Sequence, residues 1–199
     1  VLIPAFAIGR TQNVLYYIKE LLRKKKIPNL PIYMDSPMAI SATKLYGQNY
    51  DFHKISLDEL QNDNSFLQFN DSLNIINSHA ASIGLNDIKK RAIIISASGM
   101  MNGGRILHHL YNRLPRKNDT LLLVGFQAEG TRGRRIVDGD ENVRIFGQDV
   151  EVKCRVAQIQ GLSAHADQTE LMSWLRNFNR SPKYTFIIHG EEEASRTFS

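Results

Sequence analysis

Two histidines stand in settings that suit chemistry. His165 lies in GLSAHADQTE (Gly161 to Glu170), between two alanines, two residues after Ser163 and just ahead of a helical pattern. There the Ser163 hydroxyl and neighbouring N–H groups could hold an oxyanion while the imidazole moves a proton. His189 closes the apolar run of FIIHGEEEAS (Phe186 to Ser195) and is followed by Gly190 and Glu191. A neutral imidazole fixed at a strand end and partly dehydrated serves as a metal ligand or as an acid or base. Taken singly, each histidine is more often a satisfied structural residue, and Asp167 reads more simply as a helix N-cap than as a ligand. A catalytic zinc needs about three protein ligands and an open position, and no compact His/Cys cluster occurs, so spacing alone makes no zinc site. His108 and His109 are adjacent within a helical pattern, face different sides and cannot chelate one ion together; His53 and His79 sit in polar, weakly patterned stretches and read as exposed.

Three loops share a second chemistry. AIGRTQ follows VLIPAF, ASGMMNGGR follows RAIIIS, and QAEGTRGRR follows TLLLVGF, each after a strand and before a helix, and each with glycine and arginine. In an open parallel sheet such loops gather along the carboxyl edge, where ligands bind and helix N-termini point free N–H groups outward. Glycine lets backbone approach an anion, and arginine clamps phosphate oxygens in bidentate fashion. For any one loop, turn-forming glycine and solvated arginine explain the residues as well; three together favour an anion site. None has the Gly-Lys-Ser/Thr of a Walker loop, and SGMMNGG lacks the dinucleotide spacing.

Short β-branched runs alternating with helical patterns predict an α/β protein with a mostly parallel, Rossmann-like sheet flanked by helices. VLIPAF, PIYM, RAIIIS, TLLLVGF and YTFIIH read as strands. Arg10 to Lys26 reads as a helix with Val14, Ile18, Leu21 and Leu22 on its apolar face, and Asp35 or Ser36 caps a helix with Pro37 in its first turn. Asp51 to Asn77 reads as irregular with one short helix around Leu57–Leu60. Gly104 to Leu114 and Gln168 to Phe178 read as helices, while VRIF and VEVKCRVAQI alternate with period two and read as antiparallel strands joined near Gly147–Asp149.

The 199 residues are 42% hydrophobic and 23% charged, enough for a buried core. A net charge of +5 leans weakly toward anionic partners such as nucleic acid. Cys154 is the single cysteine, which excludes an internal disulfide framework and suits a reducing, cytoplasmic setting. No apolar run is long enough for a membrane span, so no membrane partner is expected. The chain opens on Val1 within a strand-like run and closes at Ser199 within a helical pattern, and it is expected to be part of something longer.

IPAFAIGRTQ, YMDSPMA, IIISASGMMNGGRILHHL, LLLVGFQAEGTRGR, GLSAHADQ and IIHGE, in that order, resemble the β-CASP branch of the metallo-β-lactamase superfamily. They look most like the RNA hydrolases akin to the 73-kDa cleavage and polyadenylation specificity factor subunit, rather than ribonuclease J. The resemblance covers nearly the whole chain and is weakest from Asp51 to Arg91. It implies a β-CASP domain over residues 1–160, inserted into a metallo-β-lactamase αββα fold whose C-terminal return is residues 161–199. By the same resemblance His165 would give a proton to the leaving oxygen or stabilise it, and His189 would ligate one zinc of a two-zinc site. Arg10, Ser98, Gly103, Gly104, Arg105, Arg132 and Arg135 would line a cleft holding the RNA backbone, with Ser163 presenting donors to phosphate.

The family's His-x-His-x-Asp-His motif, its further metal ligands and its first β-CASP acidic motif are absent from the chain. The resemblance therefore implies a C-terminal fragment of a zinc-dependent ribonuclease, unable by itself to bind two zincs or cut RNA. Its expected partners are RNA, the missing N-terminal metallo-β-lactamase segment and, as a further candidate, a second copy of the chain. Two other readings stand beside this one: a non-catalytic RNA-binding subunit of the same family, and an α/β enzyme holding a nucleotide or phosphometabolite in its glycine loops.

Overall fold

The computed structural model of the chain describes residues 1–49, 52, 72–163, 165–188 and 190–198. They separate into two compact units, Val1–Gln160 and Gly161–Ser199. The first holds a six-stranded parallel sheet of β1 (Leu2–Pro4), β2 (Ile32–Met34), β3 (Leu73–Ile75), β4 (Ile93–Ser96), β5 (Thr120–Leu123) and β8 (Arg155–Gln158). Along the sheet the order is β3-β2-β4-β1-β5-β8. A hairpin of β6 (Asn142–Ile145) and β7 (Gln148–Glu151) stands apart.

The central strands are short and apolar because both faces are covered. Leu2, Ile94, Leu121 and Leu123 join one buried cluster with Ile106, Leu110 and Leu114, with Ile136, and with Val143, Ile145 and Val150 of the hairpin. The helices on this face are α3 (His79–Gly84), α4 (Ile106–Arg113) and α5 (Arg132–Val137). Strand alternation sends Ile3, Ile95 and Met34 the other way, and they are buried outside that cluster. There lie α1 (Arg10–Arg23) and α2 (Pro37–Gln48), joined by the Gln12 amide donating to Thr43 Oγ1 at 2.8 Å; Thr43 Oγ1 in turn lies 3.7 Å from Met34 Sδ. The chain leaves β1 toward β2 and leaves the neighbouring β5 in the opposite direction, toward β8. Adjacent strands whose connections diverge open a crevice at their carboxyl ends.

Four sequence expectations are corrected here. The α1 face is Val14, Leu15 and Ile18, with Leu21 exposed, because the helix rests on the sheet through its first three turns and its basic end projects beyond it. VEVKCRVAQI is not one strand: Lys153 and Cys154 both donate backbone N–H to Leu114 O at 2.8 Å, which turns the chain from antiparallel β7 into β8, parallel to β5. Within Asp51–Asn77, β3 adds a parallel edge strand of three residues, too short and polar to show a period. YTFIIH forms no strand over residues 184–188. The short helix expected around Leu57–Leu60 lies outside the described residues.

The second unit contains α6 (Gln168–Arg176) and α7 (Glu192–Phe198), and neither has a buried residue. Asp167 caps α6 in a capping box with Glu170, each side chain accepting from the other's backbone N–H.

The observed α1 face sets a test against the one expected from periodicity. Leu15→Ala, at a position 0% exposed, should cost about 2–5 kcal/mol. Leu21→Ala, at a position 40% exposed, should stay within about 1 kcal/mol, both read from urea unfolding midpoints.

Candidate functional site

The loop after β4 is tied to itself. Ser98 Oγ accepts from the N–H groups of Asn102 (3.2 Å) and Gly103 (3.4 Å), and donates to Gly103 O at 3.2 Å. Ile106 N–H then reaches back to Ala97 O at 3.2 Å to start α4. Gly104 sits at φ 81°, and a β-carbon there would stand 2.7 Å from Ala97 O, so only glycine fits. Gly103 lies in the same turn. The Ala97–Ser98 peptide is cis. Gln127 stitches this loop to the one after β5, its amide nitrogen donating to Gly99 O and to Gly125 O, each at 3.1 Å.

The edge arginines divide into those whose guanidinium is hydrogen-bonded and one with buried donors that have no partner. Arg105 donates through Nη1 to Asp35 Oδ1 at 2.6 Å and to Ile76 O at 3.1 Å. Arg132 donates through Nε to Arg144 O at 2.9 Å and through Nη1 to Met101 O. Arg135 pairs with Asp140 at 2.6 Å. Arg10, at the start of α1, differs: its Nε and Nη1 are buried and have no hydrogen-bond partner. Burial lowers its pKa from the ordinary guanidinium value. Its Nε lies beside Gly125, at 4.0 Å from where a β-carbon would stand, so the β1 and β5 loops meet at this cation. Half-exposed Phe6 and Phe126 belong to the same two loops. A buried cation with two donors unused, on loops that also carry exposed rings, is chemically suited to an anion that also carries an apolar face.

Beneath the edge lies a buried polar network. Asp35 is fully buried at the end of β2 and accepts from Arg105, from Ser82 Oγ at 2.5 Å and from His109 Nε2 at 2.7 Å. His109 Nδ1 lies 3.0 Å from Asn86 Oδ1, and Ser96 Oγ donates to the Asp35 carbonyl at 2.8 Å. The sequence places Asp35 or Ser36 at a cap; Ser36 is the cap, accepting from Ala39 N–H, and Asp35 is the hub. The available signal was an aspartate following an apolar strand in a chain that also carries His109, one of two histidines facing opposite ways from a single helix. His109 is indeed buried while His108 is exposed.

In the second unit His165 is exposed, with its backbone N–H donating to Ser163 Oγ at 3.2 Å. His189 lies outside the described residues. Among the described residues no group of three or more His, Cys, Asp or Glu side chains is placed to hold a metal ion, and the Asp167 carboxylate near His165 is engaged at its helix cap. The described residues therefore do not by themselves fit a zinc site. This unit also shows apolar side chains to solvent, among them Trp174, Phe186 and Ile188. No helix among the described residues is long and apolar enough to cross a membrane.

The Beta-Casp domain family model matches residues 11–136, and a second model, described as a Zn-dependent metallo-hydrolase RNA specificity domain, matches residues 149–199. Among curated proteins the chain is similar to Ribonuclease TTHA0252 of Thermus thermophilus, at 36% identity over 97% of this chain and 43% of that protein. It is similar to Transcription termination factor FttA of Methanosarcina mazei at 33% identity, covering 96% of this chain and 31% of that protein. An RNase J-like protein of Methanocaldococcus jannaschii matches at 32% identity over 100% of this chain and 45% of its own length. The chain thus spans less than half the length of each of these relatives.

The Asp35 hub makes the fold acid-sensitive in a defined direction. Burial works to raise the Asp35 pKa, and the hydrogen bonds from His109, Ser82 and Arg105 outweigh it, so the carboxyl titrates below its ordinary value. A folded pKa below the unfolded one gives stability that is present above about pH 3.9 and is lost as pH falls through the folded pKa. Asp35→Ala should cost about 3–5 kcal/mol at neutral pH, because Arg105 loses its buried counter-charge and His109 a buried hydrogen-bond partner. Urea midpoints measured from about pH 6 to pH 3 should fall more steeply for the parent sequence than for Asp35→Asn.

Proposed function

We propose, from the premise that this chain belongs to the Beta-Casp family of the metallo-β-lactamase superfamily, that it supplies the RNA-gripping part of a metal-dependent RNA phosphodiester hydrolase. The observation that carries the proposal is Arg10, whose buried donors have no partner where the β1 and β5 loops meet. A ribonuclease name on one relative and the RNA-specificity description of the second family model support RNA as the anion.

Residues 1–160 are assigned to the β-CASP insertion and residues 161–199 to the returning segment of the metallo-β-lactamase fold. Arg10 takes a backbone phosphate. Arg105, turned to Asp35, acts as a positioning residue that holds the Ser98–Gly104 turn and the start of α4 at the edge. Arg132 and Arg135 brace the loop after β5, and their charge adds to the field that attracts a polyanion. Water adds to phosphorus, the bond to the leaving oxygen breaks, and His165 gives that oxygen its proton, with Ser163 as a neighbouring donor. Zinc, when bound in the whole protein, would polarise the phosphate and supply hydroxide. His189 is the candidate ligand from this chain, and the other ligands come from sequence outside it. The exposed apolar side chains of the second unit support a partner segment that covers them. The reducing setting suggested by Cys154 supports a cytoplasmic protein.

Incubated alone with zinc and an end-labelled RNA, the chain should bind RNA with salt-sensitive affinity and leave it uncut. Joined to the N-terminal segment of its parent it should cut, and lose the activity on chelation. His165→Ala in that parent should lower the cleavage rate by about 10²–10⁴-fold with RNA affinity kept. Arg10→Ala should weaken binding and reduce the slope of log affinity against log salt by about one. Zinc-dependent cleavage by this chain alone would overturn the division of labour, and salt-independent binding would overturn the phosphate role of Arg10.

A further inference from the structure

Away from the Arg10 crevice, the face of the first unit that carries α4 and the hairpin shows a row of four aromatic rings. His79 and His108 meet edge-on at 6.4 Å between centroids. His108 and Phe146 lie 4.7 Å apart, tilted by 36°, and Phe146 meets Tyr111 at 6.1 Å. The row crosses three elements, since His79 opens α3, His108 and Tyr111 lie in α4, and Phe146 forms the tip of the β6–β7 hairpin. Tyr111 Oη donates to Gln148 Oε1 at 2.6 Å, which holds the hairpin against α4.

Phe146 is a poor residue for its backbone. It and Gly147 take φ of 52° and 78°, positive at both central positions of a two-residue hairpin turn, where asparagine followed by glycine is the favoured pair. A bulky side chain in this conformation is an outlier that persists when something else holds it. Burial is not the reason, because Phe146 remains 54% exposed. His108 and Tyr111 pack beside the ring, and the rest of it is open to solvent.

Cations flank the row. The Arg132 guanidinium meets the carbonyls of Arg144 and Met101 and, among the described residues, no carboxylate, so its charge is not neutralised by a partner. Arg144 is exposed two residues before Phe146, with Asp149 opposite it in the ladder as the nearest acidic residue along the hairpin. Flat rings beside backbone-reaching cations are the pair of features that single-stranded nucleic acids use, bases on rings and phosphates on arginines.

We infer that Phe146, backed by His108 and flanked by Tyr111 and His79, is a base-stacking platform for single-stranded RNA. It lies outside the phosphate crevice, and it rests on RNA being the ligand of this chain. The platform reads no sequence, since every base offers a face; it adds affinity and fixes where a strand lies.

The test uses the full chain with a fluorescent single-stranded RNA and an abasic ribose-phosphate oligomer of the same length. Phe146→Asn suits the turn better, so its melting temperature should equal or exceed that of the parent sequence, while its affinity for RNA falls about five- to tenfold. Affinity for the abasic oligomer should not change. His108→Ala should weaken RNA binding in the same direction with the fold intact. Phe146→Asn binding RNA as the parent does, or unfolding earlier with binding unchanged, would reduce the row to a structural clasp and overturn the platform alone. Equal affinity of the parent chain for RNA and the abasic oligomer would overturn it as well. A parent chain that binds neither would overturn the RNA reading, and the platform with it. Loss of self-association instead of RNA affinity in Phe146→Asn would assign the rings to a protein contact and overturn the inference.

Discussion

A single buried carboxylate fixes the working edge of the sheet. Asp35 lies at the end of β2, yet its three side-chain partners come from α3, from the start of α4 and from within α4. A charge removed from water is tolerated only when its hydrogen bonds are filled, so these elements have one arrangement in which Asp35 is satisfied. The glycine turn that begins α4 inherits that arrangement, because Arg105 stands at its end with its guanidinium already committed.

The commitment of Arg105, Arg132 and Arg135 changes what a basic edge means. Sequence alone counts five arginines over the three loops, whereas the structure employs four of them to brace loop carbonyls and acids. The donors left over belong to Arg10, and they are left where the connections of neighbouring strands diverge. Rigidity and recognition are thus carried by different residues of one type. Preorganised loops leave less chain to be ordered when a ligand arrives.

How legible this was depends on what each element needs. β1, β4 and β5 are covered on both faces and so read as unbroken apolar runs, and the parallel architecture follows from them. The edge strands β3 and β8 have three or four residues and little burial, so no period marks them. Arginine and glycine at strand ends told of an anion-facing edge, but residue type does not say which way a guanidinium turns; that depends on Asp35, Asp140 and carbonyls distant in sequence. His108 and His109 show the same limit, since adjacency predicted opposite faces without naming the carboxylate that waits for one of them. Of the two tail histidines, His165 is exposed beside Ser163, and His189 lies outside the described residues.

The position of β1 within the sheet has a consequence for how the chain reaches its native state. Leu2 pairs with Ile94 on one side and Leu121 on the other, so the strand that comes first in this chain is an interior one. Its partners are separated from it by roughly half the chain or more, and such non-local pairings are slow to form. On a ribosome the run from Leu2 to Pro4 waits, apolar and unpaired, until β4 has emerged, and its other edge waits for β5. The middle of the sheet therefore closes only after more than half of the chain has been made, and the interval before then is when the nascent chain is most exposed to misassociation.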